Sequence, residues 1–252
     1  GGPLDYSQGC AMRRVRSVVR GALSLVLFAL FGVGGVLISP LALVLRSPRR
    51  CQPLVRALWI PLTGLFRLFG IIGIDSRNLS TGFRGCIIAA NHPSLIDVVL
   101  ITALIPRTLY VAKASLLRNP FMAAIVHRTS LPVDEHLPDA VVPYLKDGWN
   151  VLVFPEGTRS PVEGGMHPLH RGVAQLVLRT GAPLVCLGIS LTRRILSKAQ
   201  SPWDMGDSRV IYGFSSDEPS VHRPDDSRAL RPQAVALTDE IRNRITALSC
   251  RA

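Results

Sequence analysis

The sequence predicts an α/β protein: a mostly parallel sheet flanked by helices, preceded by hydrophobic, membrane-associated helices. Three observations carry that expectation. Residues 21–45 contain no charged side chain. Beyond residue 80, runs of four or five apolar residues alternate with longer segments of mixed polarity. Three of those runs then end at chemistry-bearing residues: a His/Pro/Asp segment, Lys113, and a Pro/Glu/Gly/Arg segment.

The charge-free run exceeds the roughly 20 residues that a helix needs to span a bilayer. Arg13, Arg14, Arg16 and Arg20 precede it, and Arg46, Arg49 and Arg50 follow it. Basic clusters at both ends fit a single span poorly, because positive charge is retained on the cytoplasmic side. Gly32, Gly34, Gly35 and Pro40 weaken a straight helix. The expectation is therefore a kinked or re-entrant hairpin with both ends on the cytoplasmic side, a simple span being the alternative. A secretory signal fits less well, since no small-residue cleavage site stands before Arg46. The next apolar stretch, 54–74, carries only Arg56 and Arg67 and reads as a second membrane-contacting or interfacial helix. These features divide the chain into a basic segment (1–20), hydrophobic helices (21–75) and an α/β domain (76–252).

Residues 86–90, 109–112, 151–154 and 184–187 are apolar throughout, as strands covered on both faces must be. Residues 210–212 offer a further strand. Between them, 93–105, 119–127, 140–147 and 172–180 read as helices, and Gly181-Ala182-Pro183 is a helix stop. A last helix over 233–248 aligns Leu237, Ile241, Ile245 and Leu248 on one stripe, and 215–231 reads as a surface loop.

Composition narrows the partners. A net charge of +12 and a pI near 10.5 suit nucleic acid or an anionic membrane. With 48% hydrophobic residues and no recognisable nucleic-acid module, the membrane is the better fit. Five scattered cysteines show neither metal-ligand spacing nor a disulfide framework, so no metal and a reducing, cytosol-facing environment are expected.

The chemistry lies beyond the strands, where open α/β sheets build their sites. The first run leads into Asn91-His92-Pro93-Ser94-Leu95-Ile96-Asp97, the second ends at Lys113, and the third leads into Pro155-Glu156-Gly157-Thr158-Arg159-Ser160. On one regular helix His92 and Asp97 would point about 140° apart. Pro93 disfavours helical geometry at His92, so His92 sits in a loop and Asp97 in the first turns of the helix behind it. From there a carboxylate reaches one imidazole nitrogen, fixes the tautomer and leaves the other nitrogen to take a proton.

Asn-His-Pro-Ser-x-x-Asp followed by Phe-Pro-Glu-Gly-Thr-Arg-Ser resembles the glycerolipid acyltransferase family, which includes the lysophosphatidate acyltransferases. The HxxxxD pattern falls on His92 and Asp97, and the FPEGTRS block on Phe154 through Ser160 without a mismatch. Arg171-Gly172 and the proline-led run from Ala182 fit the blocks that follow, so the resemblance covers roughly residues 80–190. It implies a membrane-bound O-acyltransferase. His92, oriented by Asp97, would deprotonate an acceptor hydroxyl that attacks an acyl thioester directly. Lys113, Glu156, Gly157, Thr158 and Arg159 would bind substrate, Arg159 holding a phosphate. The donor would be acyl-CoA or acyl carrier protein, the acceptor a lysophospholipid such as lysophosphatidate. No cofactor is implied, and the location would be the cytoplasmic face of a bacterial inner membrane.

One departure bears on the acceptor. Relatives carry Asp-Arg between the two blocks, where this chain has Asp134-Glu135. That exchange weakens the case for a glycerol-phosphate acceptor and opens one with a free amine or no phosphate, such as an amino-acid lipid or a specialised metabolite, unless Lys113 or Arg128 compensates. Two rival classes remain: a serine hydrolase using Ser94 or Ser160, which lacks a Gly-x-Ser-x-Gly elbow, and a catalytically silent membrane adaptor.

Overall fold

The computed structural model describes residues 4–45, 47–112, 126, 129–161, 164–196, 200–206, 208–223 and 230–252. Two long helices come first, α1 (Leu4–Leu45) and α2 (Pro48–Leu68). There follow β1 (Ile72–Asn78), β2 (Ile87–Ala90), α3 (Asp97–Leu104), β3 (Thr108–Ala112) and β4 (Ser130–Pro132). The chain continues through α4 (Leu137–Lys146), β5 (Asn150–Val153), α5 (Gly172–Thr180) and β6 (Leu184–Leu191). A 3₁₀ turn (Pro202–Gly206), β7 (Val210–Ser216) and α6 (Leu230–Ser249) complete it.

Among the described residues seven strands form one sheet, in the order β1-β7-β6-β2-β5-β3-β4. Strands β6, β2, β5, β3 and β4 are parallel. β7 runs antiparallel to β6, with β1 parallel to β7 on the outer edge. The mostly parallel sheet flanked by helices is the expected fold class. Strand periodicity divides the core between the two faces. Ile88, Ala90, Val185 and Leu187 join the cluster under α2 and α3, while Ile87, Ala89, Leu184 and Cys186 join the one under α5 and α6. Both faces are thus dry along these stretches, which is why Ile87–Ala90 and Leu184–Leu187 are apolar at every position.

Two strands escape the sequence reading. β1 begins at Ile72, inside the stretch assigned to a hydrophobic helix, so the sheet starts ahead of residue 76. β4 is three residues long and ends in Pro132, too short for a periodic signal. The helix expected over 119–127 falls largely outside the described residues.

The expected break inside 21–45 is absent: α1 runs unbroken through Gly32, Gly34, Gly35 and Pro40. The turn lies instead at Ser47, extended at φ −132° and ψ 129° ahead of Pro48, as a residue before proline prefers. α2 then returns alongside α1. Phe28 meets Phe66 edge-to-face at 5.7 Å, and a Cβ at Gly34 would lie 3.2 Å from Leu58. The helices are therefore antiparallel, and Gly34 serves close approach rather than a kink. α2 packs Val55, Trp59, Leu62 and Phe66 into the core on that face of the sheet and leaves Ile60, Leu65 and Leu68 outside. Met12–Leu37 is long and apolar enough to cross a membrane.

Candidate active site

β2 ends at Ala90, and the next six residues turn over the carboxyl edge of the sheet before α3 begins at Asp97. Asn91 pins the turn to β6: its Nδ2 donates to the Ile189 carbonyl and its Oδ1 accepts from the Ile189 N–H, both at 2.8 Å. His92 and Asp97 then meet as their spacing predicts. The His92 Nδ1–Asp97 Oδ2 distance is 2.9 Å. The same carboxylate oxygen accepts the Ser94 N–H at 2.7 Å. Asp97 is wholly buried, whereas the His92 ring retains 17% of its exposure. Nδ1 faces the carboxylate and no hydrogen bond engages Nε2 among the described residues. The ring stacks on Phe154, centroids 4.2 Å apart, which fixes its plane.

Burial pushes the Asp97 carboxyl above the ordinary carboxylate range, opposed by His92, by the Ser94 N–H and by the charge of Arg194. Tyr212 donates to Ser94 Oγ at 2.8 Å, and burial, with the Asp97 charge, raises its hydroxyl well above the usual value. Asp97 Oδ1 and Arg194 Nη1 are each buried without a hydrogen-bond partner among the described residues.

The second block folds back onto the first. Gly157 takes φ +60°, a conformation open to glycine without strain, and turns the chain after β5. Ser160 N–H then donates to the His92 carbonyl at 2.7 Å. Glu156 is 2% exposed. Its Oε1 accepts from the His92 N–H at 3.2 Å and from Ser160 Oγ at 2.5 Å, and its Oε2 from the His167 N–H at 2.8 Å. Glu156, expected to bind substrate, is thus occupied by protein donors and braces the loop that carries His92. Gly157, Thr158 and Arg159 stay partly exposed. Arg159 Nη1 donates to the Leu196 carbonyl at 2.7 Å, which joins it to the loop that carries Arg194.

Lys113 and Arg128 lie outside the described residues. Glu135 follows β4, three strand positions from β2, or about 14 Å at the usual strand spacing. Its carboxylate is 88% exposed and sits 3.6 Å from His136. No negative charge from Glu135 enters the His92–Asp97 site. Sequence reasoning missed Arg194 and Tyr212, because neither stands near a motif. Among the described residues no group of three or more His, Cys, Asp or Glu side chains could hold a metal ion.

The acyltransferase family model matches residues 70–190, which contain both blocks, β1 through most of β6, and the Ile189 anchor. Over that stretch the chain is similar to the acyltransferase family. Over 239 residues this chain is 26% identical to the chloroplastic 1-acyl-sn-glycerol-3-phosphate acyltransferase BAT2 of Brassica napus. That match takes in 90% of this chain and 64% of the relative. The 1-acyl-sn-glycerol-3-phosphate acyltransferase of Cocos nucifera is 31% identical over 105 residues, 38% of this chain and 34% of that one. This chain thus spans under two thirds of the length of either relative. The crystal structure of PlsC, the 1-acyl-sn-glycerophosphate acyltransferase of Thermotoga maritima, has the same fold. Its TM-score is 0.60 at 21% identity, over 93% of this chain and 98% of that one.

Proposed function

We propose that this protein is a membrane-bound O-acyltransferase that moves a fatty acyl group from acyl-CoA or acyl carrier protein to the hydroxyl of a lysophospholipid such as lysophosphatidate. The observation that carries the reading is the 2.9 Å contact between His92 Nδ1 and a fully buried Asp97. With Nδ1–H donating to Asp97, Nε2 of the partly exposed ring carries the free lone pair. It takes the acceptor hydroxyl proton as that oxygen attacks the thioester carbonyl carbon. The carbon–sulfur bond breaks, and the leaving thiolate recovers the proton from the imidazolium. Asp97 holds the ring and offsets its transient charge; general-base assistance of this kind is worth typically about 10²–10⁴-fold.

Glu156 keeps the His92 loop in place rather than touching substrate. Arg159, partly exposed and steadied by the Leu196 carbonyl, binds the acceptor phosphate with Gly157 and Thr158, and Lys113 is assigned to the same role. The remote, solvated Glu135 leaves a phosphate-bearing acceptor compatible with the site. Phe28, Phe66, Ile96 and Val99 line a small apolar cavity of about 20 Å³ beside the start of α3, on the α1–α2 side. The apolar exterior of α1 supports attachment to a membrane, with the catalytic domain on its cytoplasmic face.

Acyl transfer by the detergent-solubilised protein tests the reading. Labelled acyl-CoA or acyl carrier protein is offered with lysophosphatidate or with phosphate-free hydroxyl lipids, and His92→Ala runs alongside. Product on lysophosphatidate, lost in the variant, is expected. Product on phosphate-free acceptors alone removes the phosphate role of Arg159. No product on either, where a known relative works, overturns the transferase reading.

A further inference from the structure

Three arginines from separate parts of the chain converge beside the amino-terminal half of α1. Arg16 and Arg20 stand one turn apart on α1. Arg209 immediately precedes β7. The Arg20 guanidinium lies over Gly70, where a Cβ would be 3.6 Å away, and the Arg209 guanidinium lies against Gly73, where a Cβ would be 3.1 Å away. Glycine at both positions leaves room for the two side chains. The charges of Arg16 and Arg209 both act on Arg20. Among the described residues no ion pair or side-chain hydrogen bond engages any of the three guanidiniums. A cluster of like charges without a counter-charge is unfavourable until an anion joins it.

The surroundings say which anion. Arg16 and Arg20 open onto a groove of about 510 Å³ whose other walls include Val15, Val19, Leu23, Leu68 and Phe69. Val15, Val19 and Leu68 are largely exposed, at 63%, 51% and 77%. An apolar groove rimmed by guanidiniums matches a molecule with a phosphate at one end and a hydrocarbon chain at the other. A water-soluble phosphate would leave the apolar wall uncovered.

The position in the fold adds a consequence. β7 runs antiparallel to β6 and Tyr212 pairs with Leu191, so the start of β7 lies beside the end of β6. That is the carboxyl edge from which His92 emerges from β2. The 3₁₀ turn packs on α1 at the same end: a Cβ on Gly206 would collide with the Ser17 carbonyl oxygen. We infer that Arg16, Arg20 and Arg209 form a headgroup site for an anionic phospholipid of the membrane, its acyl chain lying in the adjoining groove. A lipid held there turns the carboxyl edge of the sheet, and with it His92, toward the bilayer surface.

The test reads lipid binding rather than acyl transfer, so it is independent of the proposed activity. The full-length protein in neutral detergent is titrated with phosphatidylglycerol or phosphatidylcholine, and bound lipid is counted by native mass spectrometry. The wild type is expected to retain phosphatidylglycerol selectively. Arg16→Gln/Arg20→Gln/Arg209→Gln is expected to bind it at least tenfold more weakly than Arg13→Gln/Arg14→Gln/Arg67→Gln, which removes the same charge from exposed neighbouring positions. Equal weakening in both triples means diffuse attraction and overturns the site, as does equal retention of both lipids by the wild type. Should the first triple unfold, Arg209→Gln alone, far from α1 in sequence, must still weaken binding, and Arg209→Lys must restore part of it.

Discussion

Asp97→Asn isolates charge from shape at the centre of the site. Both hydrogen bonds to Asp97, from His92 Nδ1 and from the Ser94 N–H, end on Oδ2. An asparagine can place its carbonyl oxygen there and keep both. Its amide then occupies the position of Oδ1, which has no hydrogen-bond partner among the described residues of the wild type. What disappears is the negative charge beside the imidazolium. With charge centres about 4 Å apart and an effective dielectric near 20, that attraction is worth about 4 kcal/mol. This corresponds to roughly 10³-fold in the chemical step. Stability should move the other way. Burial holds the carboxyl above its ordinary range, so a neutral side chain relieves a buried charge. The assay is single-turnover acyl transfer with a thermal melt of the same sample. The expected result is a roughly 10³-fold slower step with an unchanged or higher Tm. Activity above a tenth of wild type would refute the charge argument, and a Tm that falls together with activity would make Asp97 a structural residue.

Glu156→Gln replaces one carboxylate oxygen with an amide that must face an N–H or hydroxyl donor. Losing one charge-assisted bond costs about 1.5–3 kcal/mol, so Tm should fall by about 3–12 °C, and acyl transfer should fall too as the His92 loop loosens. Arg194→Met removes the cation that opposes the upward push on Asp97. Without that opposing charge the Asp97 carboxyl is pushed further up, so the acid limb of the kcat/KM profile should move to higher pH. Arg194→Lys should leave it in place; an unshifted limb in the methionine variant would show that Arg194 does not act on the pair. Burial pushes the Cys186 thiol up to about 12, whereas Cys250 is exposed. At pH 8 only about one Cys186 in 10⁴ is thiolate. Peptide mapping after alkylation should therefore find Cys250 modified in the folded protein and Cys186 only after denaturation.

Local rules settled a large share of this protein before any coordinates. A strand covered on both faces must be apolar at every position, so β2, β3, β5 and β6 were legible as unbroken runs. Gly181 was legible as a helix stop and adopts φ +64° at the end of α5. The His92–Asp97 contact was legible because Pro93 governs the backbone within five residues. What tertiary structure alone decided is whatever depends on partners distant in sequence. β1 hid inside an apolar stretch because only its pairing with β7, more than 130 residues away, distinguishes it from a helix. The turn between α1 and α2 moved to Ser47 because Gly34 is used for contact with Leu58, a role that composition cannot signal. The bracing of His92 by Glu156 spans 64 residues, and Arg194 approaches Asp97 only because β6 lies next to β2. Periodicity and backbone preference act over a few residues and are written in the chain. Strand order and the neighbours of a buried charge are set by the packing of the whole domain.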